Sequence, residues 1–283
     1  MNKARERFLI ISIVVLVIFT AGFFAYRLYR KHIKRNAAPL ISCASDEMRI
    51  SVATPREDLL IGVTAMDAED GDLTDKIVIE SISKFVEKGK CTITYAVCDS
   101  GNKVSTASRT IYYTDYHSPR FSLLSDFVYS VGSVVNPLSR IRAYDCIDGD
   151  ITNRISMTTV DSGEFSSGDA HEVEFRVINS FGDVATFRAN IVVEERVSPN
   201  VPVITLSEYL IYIDRDELID PLDYVEGIYL LRESYTIDEY GRDNLIADTS
   251  GFDPSTPGLY EIPIYLEVNN YLGSTTLYVI VED

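Results

Sequence analysis

Two short acidic stretches are the part of this sequence best equipped for chemistry. Asp67-Ala68-Glu69-Asp70-Gly71-Asp72-Leu73-Thr74 returns 78 residues later as Asp145-Cys146-Ile147-Asp148-Gly149-Asp150-Ile151-Thr152. Downstream of each, another polar oxygen closes an alternating segment, Asp99 in the first copy and Asn179 in the second. If the loops share one end of the fold, Asp67, Asp70, Asp72 and Asp99 converge, as do Asp145, Asp148, Asp150 and Asn179. Clustered carboxylate oxygens suit Ca²⁺, which takes about six to eight oxygens. The spacing is not that of an EF-hand loop, which needs ligands at positions one, three and five. The competing reading is a turn: Asp-Gly supplies a positive φ, and Asp and Thr side chains bond to nearby backbone N–H groups. Both readings stay open at this level.

Other chemistry is sparse. Four cysteines, Cys43, Cys91, Cys98 and Cys146, allow three complete pairings. Cys43 and Cys91 fall on inward strand positions, so a Cys43–Cys91 bridge between sheets is the expected disulfide, with four reduced thiols as the other reading. The spacing is not that of a zinc site. The histidines, His32, His117 and His171, are scattered. No Gly-x-Ser-x-Gly elbow, phosphate-binding loop or His-Glu-x-x-His helix is present, so a non-enzymatic role is expected. Ten tyrosines crowd residues 201–283. Tyrosine serves strands and recognition surfaces alike. The partner-binding expectation falls on Tyr235 and Tyr240, inside an insertion over 232–256.

The elements that must position these groups are strands. Cys91, Ile93, Tyr95 and Val97 share one face of a period-two segment. Comparable segments lead from Gly168 through Val173, Phe175 and Val177, and from Gly258 through Ile262, Ile264 and Leu266. Each is followed by a closing strand, at Ser108–Thr114, Arg188–Glu194 and Thr276–Glu282, and each copy opens with a proline-led strand at Pro39, Pro119 or Pro202. Further strands are expected over Arg49–Thr54 and Leu59–Ala65. Period-two patterning with frequent turns reads as antiparallel sandwich. The expected fold is all-β: three tandem immunoglobulin-like β-sandwich domains after one N-terminal transmembrane helix. The expected boundaries are 37–115, 116–195 and 196–283, the last divergent.

These motifs resemble a bacterial immunoglobulin-like repeat found in tandem in Gram-positive surface proteins and some insecticidal crystal proteins, and grouped with cadherin-like and hyaline-repeat modules. The resemblance is good over 37–195 and partial over 196–283, where the Asp-Gly-Asp turn is missing. It implies fold more than function, because such repeats serve as spacers, adhesins and accessory modules.

Phe8–Tyr26 is uncharged and apolar, long enough for a helix to cross roughly 30 Å of hydrocarbon. It is expected to be an uncleaved signal anchor (8–26) between a short tail (1–7) and a basic linker (27–36). Residues 1–35 hold eight Lys or Arg against Glu6 alone, so the rest of the chain carries −24 rather than the overall −17. That acidity argues against nucleic acid. A positive-inside count slightly favours a cytoplasmic body. The seven-residue tail and the exported character of the repeats favour the opposite, and a cell-membrane, single-pass protein with an extracytoplasmic body is expected. With no wall-sorting signal after the last strand, attachment is expected from the helix. The expected function is adhesion or binding to an envelope protein or glycan through the distal repeat. The alternative is a mechanical spacer or assembly component, stiffened by calcium.

Overall fold

A computed structural model describes residues 3–35, 37–160, 170–194 and 198–282. Gly168 and the start of the second linker, Arg196 and Val197, lie outside them. The chain forms two compact units, Met1–Asp115 and Tyr116–Asp283. The first holds helix α1 (Lys3–Arg35) and repeat 1; the second holds repeats 2 and 3.

Within α1, Arg7–Arg30 is apolar enough to cross a membrane, with a mean hydropathy of 2.8 and none of that span covered by protein. A signal sequence meets the same description. A helix satisfies its interior backbone groups within itself, which suits a lipid environment.

Repeat 1 contains β1 (Leu40–Cys43), β2 (Glu47–Ile50), β3 (Val63–Asp67), β4 (Gly71–Asp72), β5 (Val78–Ile82), β6 (Lys90–Cys98) and β7 (Val104–Tyr113). These form two sheets, ordered β1-β3-β4 and β2-β7-β6-β5. The opening strand changes sheet: β1 pairs antiparallel with β3, and β2 pairs parallel with β7. Side chains alternate along β6, so Cys91, Ile93, Tyr95 and Val97 are buried between the sheets. The expected strand Arg49–Thr54 ends at Ile50, and the first part of Leu59–Ala65 is a 3-10 turn, Arg56–Leu60. Pro55 fixes the start of that turn, and Gly62, at φ +75°, reverses the chain into β3.

Repeat 2 reproduces the plan with β8 (Arg120–Leu123), β9 (Val128–Ser130), β10 (Ile141–Asp145), β11 (Gly149–Asp150), β12 (Ser156–Thr159), β13 (Ala170–Ile178) and β14 (Val184–Glu194). Its sheets are β11-β10-β8 and β12-β13-β14-β9. Repeat 3 has β15 (Val203–Leu206), β16 (Leu210–Ile213), β17 (Val225–Leu230), β18 (Glu233–Tyr235), β19 (Leu245–Ala247), β20 (Gly258–Val268) and β21 (Tyr271–Val281), in sheets β15-β17-β18 and β16-β21-β20-β19. The chain is thus an all-β tandem of immunoglobulin-like sandwiches behind one apolar helix.

Repeats 2 and 3 share one apolar cluster. Phe187 meets Tyr278 edge-on, ring centres 5.2 Å apart. The Tyr212 hydroxyl accepts the Phe121 N–H at 2.7 Å, and Arg120 pairs with Glu282. Burial pushes the Tyr212 hydroxyl up to about 12. At Gly273 the backbone of β21 runs against the strand entering repeat 3: a Cβ there would lie 1.9 Å from the Pro202 carbonyl oxygen.

Candidate functional site

The aspartates and the threonine of the acidic motif are engaged in turn bonds. Asp67 ends β3, and its Oδ1 accepts the N–H groups of Glu69 and Asp70 at 2.8 and 2.9 Å. Gly71 follows at φ +75°, a conformation open to glycine at no steric cost. Asp72 Oδ1 accepts the Thr74 N–H, and Thr74 Oγ1 accepts the Ala65 N–H from β3. Leu73 is buried in the core, its N–H on the Ala65 carbonyl. Asp70 reaches across to the β6–β7 turn, where Oδ2 accepts the Ser100 N–H at 2.6 Å and Oδ1 the Ser100 hydroxyl at 2.7 Å. Asp99 Oδ1 closes that turn on the Lys103 N–H.

Repeat 2 repeats this set. Asp145 Oδ1 accepts the Ile147 and Asp148 N–H groups, Asp150 the Thr152 N–H, and Asp148 both the N–H and the hydroxyl of Ser180. Asn179 Oδ1 accepts the Asp183 N–H. Arg154 adds an ion pair to Asp148 at 2.6 Å. Tyr116 donates to Asp183 at 2.7 Å and accepts from Asn179 Nδ2 at 2.8 Å. Burial, then the Asp183 bond, pushes the Tyr116 hydroxyl well above its ordinary range.

These bonds fix the electrostatics. The Ser100 N–H and hydroxyl hold Asp70 below the usual carboxylate range. For Asp148, burial opposes ionisation, but the Ser180 hydroxyl and N–H and the Arg154 guanidinium outweigh it, and the net direction is also down. Thr74 and Thr152 lower Asp72 and Asp150 in the same way.

The eight residues expected to form two calcium sets do not assemble as such. Asp67, Asp70 and Asp99 are tied into one pair of turns, and Asp145, Asp148 and Asn179 into another. Asp72 and Asp150 are exposed and serve the next turn. Among the described residues no three His, Cys, Asp or Glu side chains group as a metal cage. The physical reason is that most of these oxygens are spent on N–H and O–H donors, the use of Asp that turns favour.

The expected Cys43–Cys91 bridge is not formed: Cys43 and Cys91 are both reduced. Cys43 ends β1 in one sheet, and Cys91 lies on β6 of the other, opposite Ile111. Burial pushes the Cys91 thiol up to about 11.

One buried cation escaped the sequence reading. Arg109, 5% exposed, donates from Nε to the Tyr95 hydroxyl at 2.7 Å, from Nη1 to the Ile61 carbonyl at 3.0 Å, and from Nη2 to the Leu59 carbonyl. Tyr95 donates to the same Leu59 carbonyl at 2.6 Å. Its in-phase spacing with Ile111 was the available signal.

In repeat 3 the missing Asp-Gly-Asp turn is replaced by the β17–β18 hairpin, whose corner residues Leu231 and Arg232 have φ +54° and +73°. The insertion continues through helix α2 (Ile237–Tyr240), opened by a Thr236–Glu239 capping box. Tyr235 and Tyr240 are brought together edge-on, ring centres 5.9 Å apart, both half-buried, with Tyr235 donating to Glu233 at 2.8 Å. The more open tyrosines of this repeat are Tyr229 and Tyr271, 46% and 40% exposed. Tyr209 and Tyr278 are core.

No protein-family model matches the chain. Among curated proteins it is similar to the pesticidal crystal protein Cry22Aa of Bacillus thuringiensis, 26% identical over 220 residues, covering 75% of this chain and 28% of that protein. It is also similar to an uncharacterized 81.3 kDa protein of Acholeplasma phage L2, 23% identical over 156 residues, covering 53% of this chain and 21% of the phage protein. The chain therefore spans under a third of either relative. Solved structures with similarity include CBM51-2 in complex with GlcNAc and INT domains from Clostridium perfringens ZmpB, at 28% identity, 53% of this chain, 26% of that one and a TM-score of 0.23. Mouse cadherin-23 EC22-24 is similar at 13% identity, 88% of this chain, 99% of that one and a TM-score of 0.22.

Proposed function

We propose that the chain is a non-enzymatic, membrane-held, extracytoplasmic protein that binds an envelope protein or glycan through repeat 3. The observation that carries this reading is the divergence of repeat 3. Repeats 1 and 2 spend their polar motif on closing turns, whereas repeat 3 replaces it with a hairpin and a capped helical turn that bring Tyr235 and Tyr240 together. Paired tyrosines offer large contact area at low rotamer cost. Apolar side chains stand open in the same repeat, Leu218 at 85% and Ile246 at 67% exposure. The apolar stretch of α1, uncovered by protein, is suited to hold the body at a bilayer. The test is binding of the full chain, reconstituted in vesicles, to purified envelope proteins and to immobilised glycans. Saturable binding weakened at least tenfold by Tyr235→Ala/Tyr240→Ala supports the reading; binding unchanged by the pair contradicts it.

A mechanical spacer is the second reading, and the shared core of repeats 2 and 3 favours it. A spacer tolerates the tyrosine changes but not loss of the Phe187–Tyr278 contact.

A further inference from the structure

The end of repeat 3 returns to the first strand of repeat 2. Arg120, which opens β8, pairs with Glu282, just beyond β21, and its guanidinium lies over the Tyr212 ring, 5.1 Å from the ring centre. The Tyr212 hydroxyl takes the Phe121 N–H. Beside these bonds the two repeats enclose a groove of about 450 Å³. Small-ligand sites run to roughly 300–1,000 Å³. The apolar lining, Phe121, Leu210 and Ile211, is buried. The polar lining is unengaged. Ser122 and Tyr144 stand on the outward face of β8 and β10, where strand alternation sends Phe121 and Ala143 inward. Tyr144 lies opposite Arg120 in the register and is 61% exposed. Glu208 and Tyr224 come from repeat 3. Among the described residues, the side chains of Ser122, Tyr144, Glu208 and Tyr224 bond to no protein group. Burial, then the nearby Glu208 carboxylate, pushes the Tyr224 hydroxyl above its ordinary range, which keeps it a neutral donor.

We propose that this joint is a further binding site, which takes a short neutral oligosaccharide along the groove between repeats 2 and 3. A pyranose ring presents an apolar C–H face and a rim of hydroxyls that both donate and accept. Tyr144 offers an open aromatic ring to such a face. Glu208 offers a charged acceptor, and the hydroxyls of Ser122 and Tyr224 serve as donor or acceptor. A purely apolar ligand would cover these groups without pairing them. An anionic ligand would meet Glu208 with Arg120 already neutralised by Glu282, on a body that carries −24 beyond residue 35. Both repeats supply polar groups, so neither completes the site alone. Neither Tyr235 nor Tyr240 lines the groove, and the site is independent of the recognition assigned to that pair.

The test is a calorimetric titration of the full chain in phosphatidylcholine vesicles with cellotetraose, mannotetraose and chitotetraose, and with a heparin tetrasaccharide as the anionic comparison. At least one neutral tetrasaccharide is expected to bind saturably, one per chain. Tyr144→Ala and Glu208→Gln, both at exposed positions, should each weaken that binding about tenfold and leave the melting temperature unchanged. Tyr144→Phe keeps the ring and should weaken it less than Tyr144→Ala. Tyr235→Ala/Tyr240→Ala should leave it unchanged. The proposal is overturned if no neutral tetrasaccharide binds, if the heparin fragment binds better, or if the groove variants bind as wild type does. Binding that falls with Tyr235 and Tyr240 but not with the groove variants overturns this site and leaves the recognition assigned to that pair standing.

Discussion

Repeats 1 and 2 share a clamp and differ in what lies beneath it. In repeat 1, Tyr95 and Arg109 occupy neighbouring core positions on β6 and β7. In repeat 2 the corresponding positions hold Phe175 and Ala189, and Phe187 stacks on Phe175 with ring centres 6.1 Å apart. One core is a hydrogen-bonded cation and phenol; the other is aromatic packing. The turns above them carry the same bonds from Asp70 to Ser100 and from Asp148 to Ser180. The comparison teaches that the sandwich is specified by alternation and turn geometry, while its interior admits chemically different fillings. Buried polar groups are tolerated when each donor is matched, and Arg109 is matched by two carbonyls and a hydroxyl.

The largest way to break this comparison is at Arg109. Arg109→Ala leaves the Tyr95 hydroxyl and the Ile61 carbonyl without their donor, takes one of two donors from the Leu59 carbonyl and opens a cavity. A loss of about 3–5 kcal/mol is expected in urea unfolding. Tyr95→Phe with Arg109→Leu replaces cation and phenol by apolar groups that refill the space. The Leu59 and Ile61 carbonyls lose their donors here too, so it should cost less than Arg109→Ala only by the packing restored, about 1–2 kcal/mol. A double variant as damaging as Arg109→Ala would show that the polar core is more than one of several fillings.

The clamp comes next. Asp148→Ala loses the Ser180 bonds and the Arg154 pair, for an expected loss of about 1.5–3 kcal/mol. Asp70→Ala should shift unfolding in the same direction and by less, since it lacks the arginine. The sign with pH follows from the lowered carboxyls of Asp70 and Asp148. Their contribution is fully present above the unfolded-state value of about 3.9 and is lost as pH falls through the lower folded values. The stability gap between wild type and Asp148→Ala should therefore close as urea unfolding is repeated from pH 5 towards about pH 2. A gap that widens on acidification would contradict the clamp.

The smallest effect lies in repeat 3. Leu231 and Arg232 hold positive φ without the Asn-Gly that such a corner prefers. Replacing them with Asn and Gly should stabilise by about 1 kcal/mol in thermal unfolding. No gain would show that the corner is strain-free, and that repeat 3 did not give up local preference for its insertion.

Much of this was legible in the sequence. The strands β6, β13 and β20 announced themselves by period-two burial, and the acidic motif by repetition. Arg109 was overlooked because a charge on an alternating strand reads as an outward residue, although it is in phase with Ile111. The β17–β18 corner was hidden because Leu231 and Arg232 are poor turn residues. The joint of repeats 2 and 3 depends on pairs 91 and 162 residues apart, Phe121–Tyr212 and Arg120–Glu282, which no local pattern encodes. The Cys43–Cys91 expectation rested on alternation, which gives the face a side chain takes but not its height along the sandwich.

Under the proposed function the labour is divided, with the acidic turns serving the fold and repeat 3 serving recognition. The most direct test of that division measures melting and envelope binding side by side for Asp70→Ala/Asp148→Ala and Tyr235→Ala/Tyr240→Ala, below the melting point of each. The acidic-turn variant is predicted to melt lower and bind normally, and the tyrosine variant to melt near wild type and bind poorly. Binding lost in the acidic-turn variant while still folded, and kept in the tyrosine variant, would contradict the account.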